Sequence, residues 1–188
     1  MGIFQDMKRE LNLGNKGLAA LLIMIMVGSA ITGWLYEMGF YYINAGGHWV
    51  PRGHGMGPWL PIYGFGGLGI LLCCWYVRKS PLKVFVISCL VTGLLELITG
   101  YVLYEFFGGL RLWDYNTEIW NWGNIGGFVC TRSVLLFALA GIALMKWIVP
   151  QTANLIRSLG ETRALTISSV IGAAYAADIV IGYLVKGL

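Results

Sequence analysis

Charged residues are scarce in this chain of 188 residues. Asp, Glu, Lys and Arg make up 12% of it, which is about half of the roughly 25% found in soluble domains. Hydrophobic residues make up 57%, and the mean hydropathy is +0.71. So few charges could not cover so much apolar surface in water, and the composition therefore indicates an integral membrane protein.

Motifs for metal binding, redox chemistry and nucleotide binding are also missing. The cysteines are Cys73, Cys74, Cys89 and Cys130. Their spacing matches neither a zinc site nor a redox pair, and the chain has no Walker sequence. His48 and His54 are six residues apart, which is not a metal-binding helix spacing. We expect no metal, no cofactor and, because no basic face is visible, no nucleic-acid partner.

Five apolar segments reach or approach the roughly 20 residues that a transmembrane helix needs. They are residues 17–43, 59–77, 84–107, 127–149 and 164–185. The second is the weakest, because it contains Pro61 and several glycines. The pattern predicts an all-α polytopic transmembrane helical bundle of about five spans, with residues 17–188 forming one domain.

The first sixteen residues predict a separate amphipathic segment. Ile3, Phe4, Met7 and Leu11 share one stripe of a helix, and charged residues occupy the rest. Such a helix lies on a membrane surface. We expect residues 1–16 to lie on the cytoplasmic side.

The distribution of lysine and arginine predicts the orientation. With a cytoplasmic N-terminus, the inner segments hold Lys8, Arg9, Lys16, Arg78, Lys79, Lys83, Lys146, Arg157 and Arg163. The outer segments hold Arg52, Arg111, Arg132 and Lys186. The positive-inside rule therefore predicts a cytoplasmic N-terminus and an external C-terminus.

A proline- and glycine-rich stretch, residues 48–66, interrupts the helical pattern. It holds three of the five prolines and both histidines, and it leads directly into an apolar run. Proline removes a backbone donor, and irregular backbone at membrane depth must be satisfied by protein or by a water-filled cavity. We expect the rest of the chain to form a pocket around this turn.

A short internal repeat relates the two halves of the sequence. Residues 31–37 resemble residues 98–105 with one residue inserted. Each copy is followed by an aromatic pair, a polar loop and a glycine-rich re-entry. The copies are two spans apart and run in the same direction, which predicts a parallel repeat of two hairpins followed by a fifth helix.

Several ionisable residues fall inside the spans, where an unpaired charge costs about 3 kcal/mol or more. Glu37, Arg132 and Asp178 lie at a similar depth in the outer half, and Glu96 lies nearer the midplane. We expect Arg132 to pair with Glu37 or Asp178. One such pair is compatible with helix packing alone. The excess of carboxylates favours a functional site with one carboxyl protonated, water-exposed or bound to a cation.

The candidate ligand-binding residues join these groups to polar and aromatic residues of the outer loops. Tryptophans in residues 108–126 are typical of a membrane-interface belt, and some could line a ligand site. Arginines favour an anionic ligand group, and carboxylates favour a cation or a coupled proton. The full set is Glu37, Arg52, His54, Tyr63, Glu96, Glu105, Trp113, Asp114, Asn124, Arg132 and Asp178.

Two groups of short motifs resemble a known bacterial family. The first half contains Arg52-Gly53, Gly57-Pro58 and Pro61-Ile62-Tyr63-Gly64, and the second contains Thr99-Gly100-Tyr101, Leu112-Trp113-Asp114-Tyr115 and Asn124. Over about residues 28–145 the chain is similar to the ABC-transporter type IV (CmpB-like) family. The resemblance implies a multi-pass permease-like protein of the bacterial inner membrane. It also implies that any ATPase is a separate subunit, because this chain has no Walker motif.

Three functions remain open from the sequence. The first is a permease-like protein that binds or transports a small molecule through the outer polar site. The second is an intramembrane enzyme acting on a lipid or isoprenoid, with Glu37 and Asp114 near Arg52 as acid and base. The third is an accessory subunit whose charges serve assembly, including a homo-oligomer. We favour the first, and we expect membrane lipids and a small-molecule ligand as partners.

Overall fold

The computed structural model describes residues 2–53 and 55–185. Every secondary-structure element named in this part of the chain is a helix. Its helices are α1 (Ile3–Leu11), α2 (Asn15–Asn44), α3 (Pro61–Cys74), α4 (Pro81–Phe106), α5 (Thr131–Ala143), α6 (Val149–Leu159) and α7 (Glu161–Ile179). A 3₁₀ turn, Trp75–Val77, extends α3. A π-helical segment, Leu144–Ile148, joins α5 to α6, and a second one, Val180–Val185, continues α7. The predicted all-α class is confirmed.

Four helices are long and apolar enough to cross a membrane. They are Asn15–Asn44, Pro81–Phe106, Thr131–Leu159 and Glu161–Gly182. The apolar helix Pro61–Val77 is shorter; at 1.5 Å per residue it reaches about 25 Å, against roughly 30 Å for the hydrocarbon core. The segment predicted to be the weakest span is thus the short one, and it begins at Pro61, whose fixed φ suits a first helical turn.

The helices form two hairpins and a covering helix. Hairpin α2–α3 packs on hairpin α4–α5 through α3, and α7 packs along α2. We call the end of the bundle that carries loops 45–60 and 107–130 the loop end, and the opposite end the N-terminal end. A continuous apolar core lies toward the N-terminal end, with Leu21, Leu71 and Trp75 fully buried.

Polar contacts fasten the N-terminal end. The Trp75 indole donates to Asp6 of α1 at 2.9 Å. The Glu161 carboxylate accepts the Gly14 and Gly17 amides at 2.6 and 3.0 Å. These amides begin α2 and have no partner within their own helix. Met7 of α1 is fully buried, so this amphipathic helix packs on the bundle itself.

The fourth span begins later than the sequence predicted. Residues 127–130 belong to the loop, and α5 starts at Thr131. Gly126 and Gly127 adopt positive φ values of 61° and 81°, which a helix does not contain. Arg132 therefore lies in the first turn of α5, beside the loop, and this position determines its ion-pair partner.

The predicted repeat agrees with the order of the hairpins and with one local contact. A Cβ atom at Gly33 would overlap the ring of Tyr63, and one at Gly100 would lie 2.9 Å from the ring of Phe128. The two corresponding glycines thus each contact an aromatic ring, from α3 in the first half and from the loop before α5 in the second. A rotation relating the two hairpins stays a prediction.

Candidate functional site: a charged cluster beneath the outer loops

The proline-glycine turn is tied to the bundle rather than free in solvent. The Leu60 amide donates to the Ala30 carbonyl at 3.1 Å, and the Trp34 indole donates to the Arg52 carbonyl at 3.2 Å. On the other side, Asp178 of α7 accepts the Met56 amide at 2.8 Å. These contacts hold the turn over α2, as predicted for a pocket roof.

Asp178 serves as an anchor for this turn. Besides the Met56 amide it accepts the Gly57 amide at 3.1 Å and the Trp59 indole at 2.7 Å. A Cβ atom at Gly55 would overlap its carboxylate, so a glycine is needed there. The described hydrogen bonds of Asp178 thus all come from the turn, and its meeting with Glu37 and Arg132 stays a prediction.

The first buried ion pair joins α2 to the turn. Arg52 Nε lies 2.7 Å from Glu37 Oε2, and the two side chains are 16% and 13% exposed. The Tyr63 hydroxyl donates to Glu37 Oε1 at 3.1 Å, and the Arg52 guanidinium lies over the Tyr41 ring. Burial alone would lower the pKa of Arg52, but the Glu37 carboxylate outweighs it and raises that pKa above its ordinary value. Arg52 is therefore a permanent cation.

The second buried ion pair joins α5 to the loop at 107–130. Arg132 Nη2 lies 2.5 Å from Glu118 Oε2, with side chains 12% and 3% exposed. Arg132 also donates to the Ile119 carbonyl at 3.3 Å and stacks over the Phe40 ring. The expected pairing of Arg132 with Glu37 or Asp178 is wrong, because α5 starts late enough to place Arg132 against the loop.

The described hydrogen bonds to Glu96 of α4 both come from hydroxyl groups. The Tyr115 hydroxyl donates to Oε1 at 2.5 Å and the Ser133 hydroxyl donates to Oε2 at 2.7 Å. Burial and the nearby Glu96 carboxylate raise the pKa of Tyr115 well above its usual value, so the phenol keeps the proton it donates. Glu96 is 4% exposed and is the carboxyl with no arginine in these contacts.

A tyrosine links the two ion pairs into one network. The Tyr41 hydroxyl donates to Glu118, while its ring lies under Arg52. We call Glu37, Arg52, Glu96, Glu118 and Arg132 the charged cluster. It contains three carboxyl groups and two guanidinium groups, with Glu118 and Arg52 in it and without the Asp178 that the sequence had suggested.

A small cavity lies beside three members of this cluster. It measures about 20 Å³ and is lined by α2, α3, α5 and the loop at 107–130, including Glu37, Glu118 and Arg132. That volume has room for about one water. The Nε–H of Arg132 is buried and has no protein acceptor within residues 2–53 and 55–185. Because Arg132 lines the cavity, this N–H is available to donate a hydrogen bond to a molecule there.

A larger cavity of about 260 Å³ lies between α3 and α4, next to the loop end. We call it the lateral groove. Its sides are formed by α3 with Pro61, Ile62 and Phe65, by α4 with Leu95, Thr99 and Leu103, and by Ile179 of α7. Phe65 is 54% exposed. Glu37 and Arg52 reach one end of the groove, and Glu37 also lines the small cavity.

Other predicted residues have different placements. Trp113 lines both cavities, and its indole donates to the Phe128 carbonyl at 2.8 Å. Asp114 accepts hydrogen bonds from Arg111 and Asn116, and Asn124 donates to Asn116 and accepts the Gly127 amide. Asp114 and Asn124 thus shape the loop, and neither lines the two cavities.

Two further predictions concern residues at the edge of the site. Glu105 is exposed near the end of α4 and lines neither cavity. His54 lies outside the described residues, so its predicted role stays a prediction. Sequence reasoning missed Glu118, Tyr41, Tyr115 and Ser133. The one available signal for Glu118 was charge balance, because a buried arginine requires an anionic partner.

Comparison with known proteins identifies a family for this chain. A family described as "Putative ABC-transporter type IV" matches residues 23–183, which include every member of the charged cluster. No curated protein and no solved structure matches the chain. Since the match covers most of the chain, the chain belongs to the family described as putative ABC-transporter type IV.

Proposed function

We propose that this membrane protein is permease-like and binds a small molecule at the charged cluster for transport. The observation that carries the proposal is the position of Glu37 and Arg52. They form a buried ion pair in which Glu37 lines both the small cavity and the lateral groove, while Arg52 lines the groove. A pair that served packing alone would not need to line a groove, nor to share its carboxylate with a second cavity.

The energetic cost of the cluster also supports a ligand-binding role. Charges withdrawn from water recover their desolvation cost only with good geometry and further hydrogen bonds, and an apolar core of similar volume would often be as stable. The chain nevertheless collects five ionisable groups in one cluster. Buried ionisable groups inside membrane proteins commonly mark solute paths and proton relays.

Glu96 is the group that we assign to proton coupling. Its two described hydrogen bonds come from neutral hydroxyls, so it can take up a proton without breaking an ion pair. Protonation of Glu37 or Glu118, by contrast, would leave the arginine of that ion pair without a compensating negative charge. A proton on Glu96 would bring the charge of the cluster from −1 to zero, because the two arginines then balance the two other carboxylates.

The enzyme alternative receives less support. Acid–base catalysis on a lipid in the groove requires two carboxyls there, and Glu37 is the acidic residue among the described groove-lining residues. Asp114, its proposed partner, is bonded within the loop. An ATP-driven mechanism would need a separate ATPase subunit. The proposed location remains the bacterial inner membrane, with the N-terminal end in the cytoplasm.

The test begins with the molecules that the protein retains on purification. Native mass spectrometry would compare the wild type with the double variant Glu37→Gln/Arg52→Gln. The matched control is Glu10→Gln/Arg78→Gln, which neutralises an ion pair of 2.9 Å at the N-terminal end. We expect a small molecule on the wild type and the control that is lost from the Glu37/Arg52 variant.

A flux measurement then separates transport from binding. The retained compound would be supplied to proteoliposomes under a pH gradient. We expect uptake by the wild type and a loss of pH dependence in Glu96→Gln. Equal retention by all three proteins, or the same pH-driven uptake by Glu96→Gln, would overturn the respective part of the proposal.

A further inference from the structure

The lateral groove has apolar walls and apolar, exposed surroundings, as a groove that opens toward the bilayer would have. Its walls come from the apolar surfaces of α3, α4 and α7, and neighbouring residues outside the groove are equally apolar and exposed, such as Leu94 at 54% and Ile98 at 58%. In a membrane such surfaces contact lipid. A molecule entering the groove from its open side therefore comes from the lipid phase.

The charged end of the groove falls at headgroup level. Helix α2 has 30 residues, so it is about 45 Å long and exceeds the roughly 30 Å hydrocarbon core. Lys16 marks its N-terminal membrane boundary, where basic residues concentrate. Glu37 lies twenty-one residues further along, about 30 Å away at the helical rise, and so reaches the opposite boundary.

The charged end of the groove carries one positive and one negative side chain, those of Arg52 and Glu37. The described hydrogen bonds of Arg52 use Nε and Nη2, whereas a guanidinium has five N–H donors. Donors on Nη1 thus remain for an anionic group. Each Glu37 oxygen accepts one described hydrogen bond, and a carboxylate has about four lone-pair positions. The pair can therefore bind a phosphate and an ammonium side by side.

We propose that the lateral groove binds a membrane phospholipid with a zwitterionic, N–H-bearing headgroup, with one acyl chain along α3, its phosphate on Arg52 and its ammonium on Glu37. Phosphatidylethanolamine has this chemistry. Phosphatidylcholine carries no N–H donor for Glu37, and phosphatidylglycerol carries no cation. This inference rests on the proposed function, since it names the ligand class of the same ion pair.

The experiment is a lipid titration of the purified protein followed by native mass spectrometry. The probes are phosphatidylethanolamine, phosphatidylcholine and phosphatidylglycerol with identical chains, together with oleate. We expect the first to bind about tenfold more tightly than the others, the effect of one charge-assisted hydrogen bond. Equal affinity for the three phospholipids, or tighter binding of oleate, would overturn the headgroup assignment.

Two variants locate the binding. Thr99→Trp fills the groove from α4 and should weaken phosphatidylethanolamine binding at least tenfold. Ile98→Trp places the same side chain on the adjacent, lipid-facing position and should leave binding unchanged. Unchanged binding by Thr99→Trp would overturn the groove assignment.

A third variant tests the headgroup contact and guards against misfolding. Glu37→Gln/Arg52→Gln keeps the volume of the pair without leaving a lone buried charge, and it should bind the three phospholipids equally. A preference for phosphatidylethanolamine that persists in this variant would contradict the proposal. If that lipid fails to bind while a different compound is still lost from the variant, the lipid assignment falls and the proposed function stands.

Discussion

At the scale of single residues, the Arg132–Glu118 pair shows how a buried charge depends on one partner. Its side chains are 12% and 3% exposed. Removing one member of such a pair leaves an uncompensated charge, so we expect Arg132→Gln to lower the free energy of unfolding by about 3–5 kcal/mol. Denaturant titration in detergent micelles measures this change.

The controls for this prediction use the same measurement. Glu118→Gln/Arg132→Gln should recover most of the loss, because both charges are removed together. Arg9→Gln breaks an ion pair whose arginine is 63% exposed and should cost less than about 1 kcal/mol. A double variant as unstable as Arg132→Gln would show that packing, and not charge, dominates.

At the residue scale, the sequence pointed to several members of the charged cluster but not to all of their partners. Glu37 and Glu96 were identified because ionisable groups in apolar helices are conspicuous, and Arg52 because it lies in the proline-glycine turn. The partner of Arg132 was wrong, since it depends on where α5 begins and on how a loop of more than twenty residues folds over it. Glu118 could hardly be recognised in advance, because in a sequence a buried carboxylate of a polar loop looks the same as a solvent-exposed one.

At the scale of helices, the contact between α2 and α3 depends on a glycine. A Cβ atom at Gly33 would overlap the Tyr63 ring near its attachment to the backbone, where the ring cannot move away cheaply. We expect Gly33→Ala to lower the free energy of unfolding by about 1–3 kcal/mol. It should also weaken the Tyr63–Glu37 hydrogen bond.

A glycine elsewhere in α2 provides the matched control. A Cβ atom at Gly28 would meet nothing within 4 Å, and alanine favours a helix over glycine by about 1 kcal/mol. Gly28→Ala should therefore be neutral or stabilising in the same titration. Equal losses in both variants would rule out the specific α2–α3 contact.

Another helix-scale prediction concerns the start of α2. Glu161 accepts the Gly14 and Gly17 amides, and a negative charge there also favours the helix dipole. Glu161→Gln should lower stability by about 1–2 kcal/mol and speed hydrogen exchange at Gly14 and Gly17. The neighbouring exposed Arg163→Gln should leave those amides protected, and identical exchange in both variants would contradict the capping role.

Helices were more predictable than loops for a physical reason. An apolar run of membrane length can form little other than a helix, so α2, α4 and α7 follow from hydropathy. The short α3 was correctly predicted to be the weakest span, because Pro61 and its glycines were visible. The path of residues 107–130 was not predictable, because hydrogen bonds such as those of Asp114 and Asn124 join residues without periodic spacing.

At the scale of the whole molecule, the excess of lysine and arginine at the N-terminal end predicts that this end faces the cytoplasm. A cysteine-free background with Lys79→Cys or Trp122→Cys would test it with a membrane-impermeant thiol reagent. Both positions are exposed, at opposite ends of the bundle. Trp122→Cys should be labelled in intact cells, and Lys79→Cys only after permeabilisation; the reverse pattern would invert the topology.

The most direct test of a ligand site at the Glu37–Arg52 pair is an experimental density map of the full chain in lipid nanodiscs containing phosphatidylethanolamine. We predict elongated non-protein density along α3 between α4 and α7, with its headgroup in contact with Arg52 and Glu37. A groove closed by side chains, or a pair of residues turned away from it, would contradict the account.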